Sequence, residues 1–334
     1  MNDRIRWGVL GTANIGIKRF IPGAVASPNG TVRAIASRDL GQARTVAAQL
    51  DIPIFYGSYD ELLADPDIDA IYNALPNSLH APWTIAAAAA GKAILCEKPL
   101  AVSSEEARRM IDAARSNGVL LMEAFMYRFH PQHERVRQIR DAGEIGDVRA
   151  VRTAFTFQLE PFDAANVRLQ QTLAGGALMD VGCYCVNAAR MIFGEEPLWA
   201  SAGWDFREAF GVEVSLAGVL TFSDARTATF DCGFRAAGQG SYTIAGTLGQ
   251  IDEPTAFVPA PAETTIRVIA GSRSREERIA GVDQYRLEAT EFADALLRGR
   301  PLCIPPDDAV GTLRAIEALH RSAAAGGRRE KVVA

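Results

Sequence analysis

Long apolar runs are missing from this chain of 334 residues. A bilayer span takes roughly 18–20 consecutive apolar residues, and the best candidate here, around Ala86 to Ala90, is broken by Gly91 and Lys92. Excess positive charge is missing too. The net charge of −5 and the pI of 5.5 argue against nucleic acid or an anionic membrane surface as a partner. Cysteine is sparse: Cys96, Cys183, Cys185, Cys232 and Cys303 are odd in number and widely spaced, which reads as reduced thiols rather than a disulfide framework. Cys183 and Cys185 form a CxC pair, but no nearby Cys or His completes the four ligands of a structural zinc site, so no metal is expected. The opening MNDRIRWGVLGT lacks the apolar core of a secretory signal, and a cytoplasmic location is expected.

What is present is ordinary in composition, with 48% apolar and 22% charged residues, and the length suggests two domains. Over the first 120 or so residues, short β-rich runs alternate with helical ones. Strands are expected at 5–10, 31–36, 70–74, 93–96 and 119–123, and helices at 16–26 (bent or shortened by Pro22), 41–50, 60–64, 82–90 and 104–117. This alternation is the pattern of a parallel sheet covered by helices on both faces. Beyond residue 125 the pattern changes to helix 131–142, a long strand 148–159, helix 176–192 and successive strands at 199–206, 212–222, 226–234, 240–247 and 264–269. Helices 284–297 and 307–324 follow. The expected fold is therefore α/β: an N-terminal dinucleotide-binding domain of Rossmann type over 1–124, and an α+β domain over 125–334 with a large, open, mostly antiparallel sheet.

Gly11-Thr12-Ala13-Asn14-Ile15-Gly16 follows the first strand and opens the first helix. It matches GxGxxG with Ala13 in the second glycine position. The first glycine permits the tight turn, the small second residue lets a pyrophosphate approach, and the third lets helix and strand pack closely. The second strand ends Ala36-Ser37-Arg38, with Asp39 one place later. An acid there binds free ribose hydroxyls, whereas a guanidinium pairs with a 2′-phosphate. Ser37 and Arg38 favour NADP over NAD; Asp39 taking the ribose is the other reading.

Two further segments carry chemistry. Cys96-Glu97-Lys98-Pro99 lies just beyond a buried strand, where ligand crevices in open α/β sheets occur, and Pro99 stiffens the loop. Gly175-Gly176-Ala177-Leu178-Met179-Asp180-Val181-Gly182-Cys183-Tyr184 places Asp180 and Tyr184 four apart, on one face if helical. With GTANIG, EKPLA at 97–101, EAFMYRFHP at 123–131, GGALMDVGCYCV at 175–186, LPNSLHA at 75–81 and NVR at 166–168, the chain resembles the Gfo/Idh/MocA oxidoreductases over nearly its whole length. Within that family it is most similar to the sugar-dehydrogenase branch, which includes glucose–fructose oxidoreductase and dimeric dihydrodiol and xylose dehydrogenases.

The resemblance implies that Lys98 and Tyr184 form the reaction centre, with Asp180 beside them. Inositol dehydrogenase-like relatives carry a histidine where this chain has Tyr184. The expected chemistry moves a hydride between a nicotinamide and a sugar carbon while Tyr184 exchanges the hydroxyl proton, a neighbouring Lys98 charge lowering its pKa. Asp180 would orient a substrate hydroxyl or the lysine. The cofactor-facing set extends to Leu75, Pro76, Asn77, His80, Glu97 and Lys98, although His80 also reads as a capping or structural histidine. The substrate-facing set is Lys98, Tyr127, Arg128, Phe157, Arg168, Asp180 and Tyr184, with a surface salt bridge as the other reading of Arg168. The substrate is expected to be an aldose such as xylose or glucose, or a keto sugar. A trans-dihydrodiol and a catalytically silent nucleotide sensor are the competing readings, and the presence of both Lys98 and Tyr184 counts against the sensor. The resemblance also implies a homodimer or homotetramer through the C-terminal sheet. Val212, Val214, Leu216, Val219 and Leu220 fit such an interface, or packing against the protein's own helices.

Overall fold

Strand β1 (Ile5–Leu10) begins the first sheet, and the chain then enters a helical stretch that widens into a π turn at Gly16–Phe20 before α1 (Ile21–Ala26). Pro22 explains the widening. It has no N–H to donate, and the wider turn takes up the lost α-helical bond at the start of α1. There follow β2 (Gly30–Ala36), α2 (Leu40–Gln49), β3 (Ile54–Tyr56), α3 (Tyr59–Ala64), β4 (Ala70–Asn73), α4 (His80–Ala89), β5 (Ala93–Glu97), α5 (Ser104–Ser116) and β6 (Leu121–Ala124). The six strands pair in parallel in the order β3-β2-β1-β4-β5-β6. Strands β4 and β5 are buried at every position, as apolar strands covered on both faces must be. Helix starts are set by local chemistry: Ser58 and Glu61 form a capping box on α3, and Ser103 accepts from the Glu106 N–H at 3.2 Å on α5.

The second sheet is built from a different run of elements: α6 (Pro131–Asp141), β7 (Val148–Gln158), α7 (Cys183–Phe193), β8 (Trp199–Arg207), β9 (Val212–Thr221), β10 (Thr227–Gly233), β11 (Arg235–Gly246), β12 (Gly249–Glu253), β13 (Thr264–Ala270) and β14 (Arg273–Ile279). Helices α8 (Gln284–Arg298) and α9 (Asp308–Ala324) and the short β15 (Glu330–Lys331) end the chain. The nine strands lie in the order β14-β13-β12-β11-β7-β10-β9-β8-β15, antiparallel except for β7 against β10.

The computed structural model describes residues 4–333. They divide into two compact units: residues up to Met126 with Asp283–Val310, and Tyr127–Val282 with the residues from Gly311 on. The division at 124/125 expected from sequence therefore differs over 283–310. Helix α8 belongs with the first unit, because Phe292 packs on Trp7 with ring centroids 5.3 Å apart. A Cβ on Gly23 would also lie only 2.8 Å from the Arg286 backbone nitrogen, so α1 and α8 meet at a residue without a side chain.

Three strands escape the sequence reading. Strand β3 is three residues long, β12 carries two acids, and β14 (RSREERI) is a charged edge strand without apolar alternation. The apolar residues of β9 also need reassignment. Val212, Val214, Leu216 and Leu220 are buried within the chain, whereas Val219 faces outward beside Ala217. The covering layer includes α7 and α9: a Cβ on Gly218 would lie 3.0 Å from Leu319. The inward set is thus core, and the outward face of the sheet carries Ser201, Gly203, Ala217, Val219 and Thr229.

Candidate active site

At the end of β1 the backbone of Gly11 takes φ +85°, and a Cβ there would sit 2.9 Å from Leu75 Cδ2. Only glycine fits that turn without strain. Gly16 is less constrained, since a Cβ there would meet Tyr72 at an ordinary 3.7 Å. Thr12, Ala13, Asn14 and Ile15 form the turn and the first helical residues between them. At the end of β2, the Ser37 hydroxyl accepts from the Asp39 N–H at 3.2 Å, and the Asp39 carboxylate caps α2 by accepting from the Gln42 N–H at 3.1 Å. Asp39 is thereby engaged in the fold. Arg38 is exposed and its charge acts on the phenol of Tyr59, whose pKa burial raises and the Arg38 charge lowers.

The loops after β4 and β5 leave the same edge of the parallel sheet as Gly11. Glu97 closes β5 and is buried; its carboxylate accepts from the Tyr72 hydroxyl, and from the Lys98 N–H at 3.3 Å. Burial, with the Glu97 carboxylate next to it, pushes the Tyr72 phenol up. Leu100 N donates to Glu123 at 2.7 Å, so the turn carrying Lys98 and Pro99 is tied down on both sides. His80, expected to face the cofactor, is only 1% exposed and its ring lies between two loops. Nδ1 is 2.9 Å from the Pro99 carbonyl and Nε2 is 2.8 Å from the Leu75 carbonyl. Burial lowers its pKa, against the pull of the two carbonyls. The structural reading of His80 fits this geometry. Leu75 is itself buried, and Pro76 and Asn77 lead from it into a 3₁₀ turn before α4.

In the second unit, helix 176–192 is interrupted: Leu178–Gly182 is a π turn and the α-helix starts only at Cys183. Its entry is built on missing side chains. A Cβ on Gly175 would lie 2.4 Å from the Arg168 carbonyl oxygen, and one on Gly176 would lie 2.7 Å from Glu213 Oε1. The Gly176 N–H donates to the Arg168 carbonyl at 2.9 Å and the Leu178 N–H to Glu213 at 2.9 Å. This close approach delivers Arg168 to Asp180, with Nε donating to Oδ2 at 2.6 Å, and holds its guanidinium 5.6 Å from the centre of the Phe157 ring. Phe157, Arg168 and Asp180 are thus one cluster, in which Asp180 is partly exposed. Tyr184 is 4% exposed and sits among Phe155, Phe257 and Tyr127, with ring centroids 5.1, 5.5 and 5.7 Å away. Tyr127 is fully buried, and its hydroxyl donates to Asn187 at 2.6 Å, which makes it a wall of the Tyr184 box. Arg128 is half-buried beside it.

The sequence reading missed Asn73, Tyr59 and Glu213. Asn73 is fully buried, donates to the His80 carbonyl (3.3 Å) and Thr84 (3.2 Å), and accepts from the Leu75 N–H (3.3 Å). A polar residue at the end of an apolar strand was the available signal for Asn73. Glu213, an acid inside the apolar alternation of β9, offered the same signal. Tyr59 offered none. None of the five cysteines is in a disulfide, four of them are buried, and among the described residues no group of His, Cys, Asp or Glu could hold a metal ion. No helix among the described residues is long and apolar enough to cross a membrane.

A six-stranded sheet in the order 3-2-1-4-5-6 with a glycine turn after its first strand defines a dinucleotide-binding protein of Rossmann type. Residues 5–125 match the Gfo/Idh/MocA oxidoreductase family with its NAD-binding Rossmann fold, and residues 133–252 match the C-terminal domain of the same family. The chain belongs to the Gfo/Idh/MocA oxidoreductases. A D-xylose 1-dehydrogenase (NADP(+)) of Haloferax volcanii is 40% identical over 96% of this chain and 98% of its own. A trans-1,2-dihydrobenzene-1,2-diol dehydrogenase of Xenopus laevis is 37% identical over 78% of each chain. Among solved structures, the 3-ketoreductase KijD10 of Actinomadura kijaniata, in complex with NADP and TDP-benzene, superposes with a TM-score of 0.90 at 31% identity, over 96% of this chain and 98% of that one.

Proposed function

We propose that the protein is an NADP-dependent dehydrogenase or reductase acting on a CH–OH carbon of a sugar, an aldose such as xylose or glucose, or a keto sugar. The observation that carries this is the placement of Lys98 on the same edge of the parallel sheet as the Gly11 turn, one strand beyond β4. The residues present fit the dinucleotide: a turn only glycine can make lies at the pyrophosphate position, and Asp39 is engaged as a cap while Arg38 and Ser37 stand at the ribose end. When bound, the nicotinamide supplies the hydride acceptor or donor. The chain's own residues do the rest. Tyr184 takes the hydroxyl proton in the oxidative direction and returns it in the reductive one; Lys98 binds the same oxygen and tunes the phenol. Asp180, held by Arg168, accepts a hydrogen bond from a neighbouring substrate hydroxyl. Phe157 and Arg128 complete the substrate side. The proposed assembly is a homodimer or homotetramer through the outward face of the nine-stranded sheet.

The test is a spectrophotometric screen at the nicotinamide band, with NADP or NAD and a panel of aldoses, keto sugars, inositols and aromatic dihydrodiols. Turnover of a sugar, faster with NADP, supports the reading; turnover of dihydrodiols alone favours the diol activity of the Xenopus relative. Replacing Tyr184 by Phe is expected to lower kcat by about 10²–10⁴, the range of general acid–base catalysis, with NADP binding retained. Near-normal kcat in that variant removes the tyrosine from the mechanism.

A further inference from the structure

We infer that His80 is the positioning residue for Lys98, its buried ring fastening the turn that carries the lysine to the loop that follows β4. This rests on the reading of Lys98 given above. The ring reaches two loops that are 24 positions apart in sequence (75 against 99) yet leave adjacent strands of one sheet. Pro99 O belongs to the peptide that follows the Lys98–Pro99 bond, so a contact at 2.9 Å holds the turn one residue beyond the lysine. Leu75 O, at 2.8 Å, belongs to the residue whose side chain lies against the Gly11 turn. One imidazole thus sets the spacing of the lysine from the dinucleotide cradle. The ring is itself braced, because Asn73 holds the His80 carbonyl, Thr84 and the Leu75 N–H, so that the start of α4 and the loop move together.

Both partners of the ring are acceptors. A neutral imidazole carries one N–H and donates to one carbonyl at a time; only the doubly protonated ring satisfies both. Burial and the nearby Lys98 charge oppose the second proton. Whichever tautomer is held, replacing the ring by an apolar side chain of similar size leaves two buried carbonyls without it.

The test compares His80→Leu and His80→Gln with the parent in the ligand-free protein. Hydrogen exchange is followed in peptides covering 74–77 and 98–101, together with the acylation rate of Lys98 against those of Lys18 and Lys331. In the leucine variant, exchange in both loops is expected to accelerate about tenfold, the effect of losing one net hydrogen bond. Exchange in β1 and α5 stays at the parental rate, and Lys98 reactivity changes while that of Lys18 and Lys331 does not. Glutamine, with one amide donor group, recovers part of both effects. On the active enzyme, kcat falls by a similar factor and KM for the sugar moves less. Faster exchange in only one loop, faster exchange throughout the unit, or unchanged Lys98 reactivity with both loops loosened overturns the inference. If the parent turns over no sugar, the functional reading fails, while the exchange and acylation results still decide whether His80 positions Lys98.

Discussion

Arg38 and Asp39 are neighbours in sequence with opposite charge, and residue-level geometry separates their roles. Asp39 accepts from the Gln42 N–H and so closes the start of α2; the Arg38 guanidinium is exposed and its charge lowers the Tyr59 phenol's pKa. A carboxylate capping a helix is worth about 1 kcal/mol to the fold, which disfavours its release to a ribose. Replacing Arg38 by Ala is expected to weaken NADP binding about tenfold or more, the loss of a charge-assisted hydrogen bond, and to leave NAD nearly untouched. Fluorescence titration with the two dinucleotides checks this; equal losses for both would return the ribose to Asp39. The glycine turn, the EKP loop and the DxGxY segment were legible in the sequence as local patterns, because each brings its own backbone constraints with it. The side chains that hold them were not. Asn73 was not read at all and His80 only as one of two alternatives, because their contacts close only when separate strands align, and spacing along the chain records none of that.

Strand β12 shows what an element can conceal. Glu253 ends it, 1% exposed, with the Thr255 N–H on Oε1 at 3.2 Å and no partner for Oε2 among the described residues. Burial pushes its carboxyl up to about 7, from an ordinary 4.5. An acid whose pKa is raised by folding holds its proton more tightly in the native state, so stability falls as pH rises from about 4.5 to about 7 and is flat on either side. That shift corresponds to about 3 kcal/mol at 1.36 kcal/mol per unit. Glu253→Gln is expected to abolish this decline, so that urea midpoints of variant and parent diverge across that window and run parallel above it. Parallel curves throughout would mean that the carboxyl ionises freely in the fold. Elements with strong periodicity, such as α5 and β9, were readable from their apolar spacing. Strand β14 was not, because it is held by backbone pairing with β13 and by ion pairs such as Arg135 to Glu277 at 2.6 Å and Arg275 to Glu144 at 2.8 Å rather than by burial.

At the scale of the molecule, the outward face of the nine-stranded sheet carries a patch of small side chains, Ser201, Gly203, Ala217, Val219 and Thr229, with Val219 36% exposed, beside the exposed Asp231 and Arg152. A broad β surface of this kind is what a second copy of the chain can cover. Val219→Arg places a charge between Thr229 and Ser201, its cross-strand neighbours. The expected result in sedimentation velocity is a shift to a smaller species, with thermal stability of the protomer changed by less than about 0.5 kcal/mol, as for other surface substitutions. An unchanged sedimentation coefficient would count against this face as an interface between copies of the chain.

Because α8 completes the first unit, the order of synthesis and the order of assembly disagree. The nucleotide-binding sheet emerges from the ribosome first, yet Trp7 waits for Phe292, and Gly23 for Tyr285 and Arg286, until the whole of 127–282 has been made. During that interval the surface that α8 covers, with Trp7 in it, lies exposed, and the nascent N-terminal half is an unfinished domain. A fragment ending at Met126 should therefore be aggregation-prone and bind dinucleotide poorly, and adding residues 283–310 in trans should restore solubility. Light scattering of the fragment with and without that peptide decides the point. A monodisperse fragment that binds NADP on its own would show that α8 is dispensable.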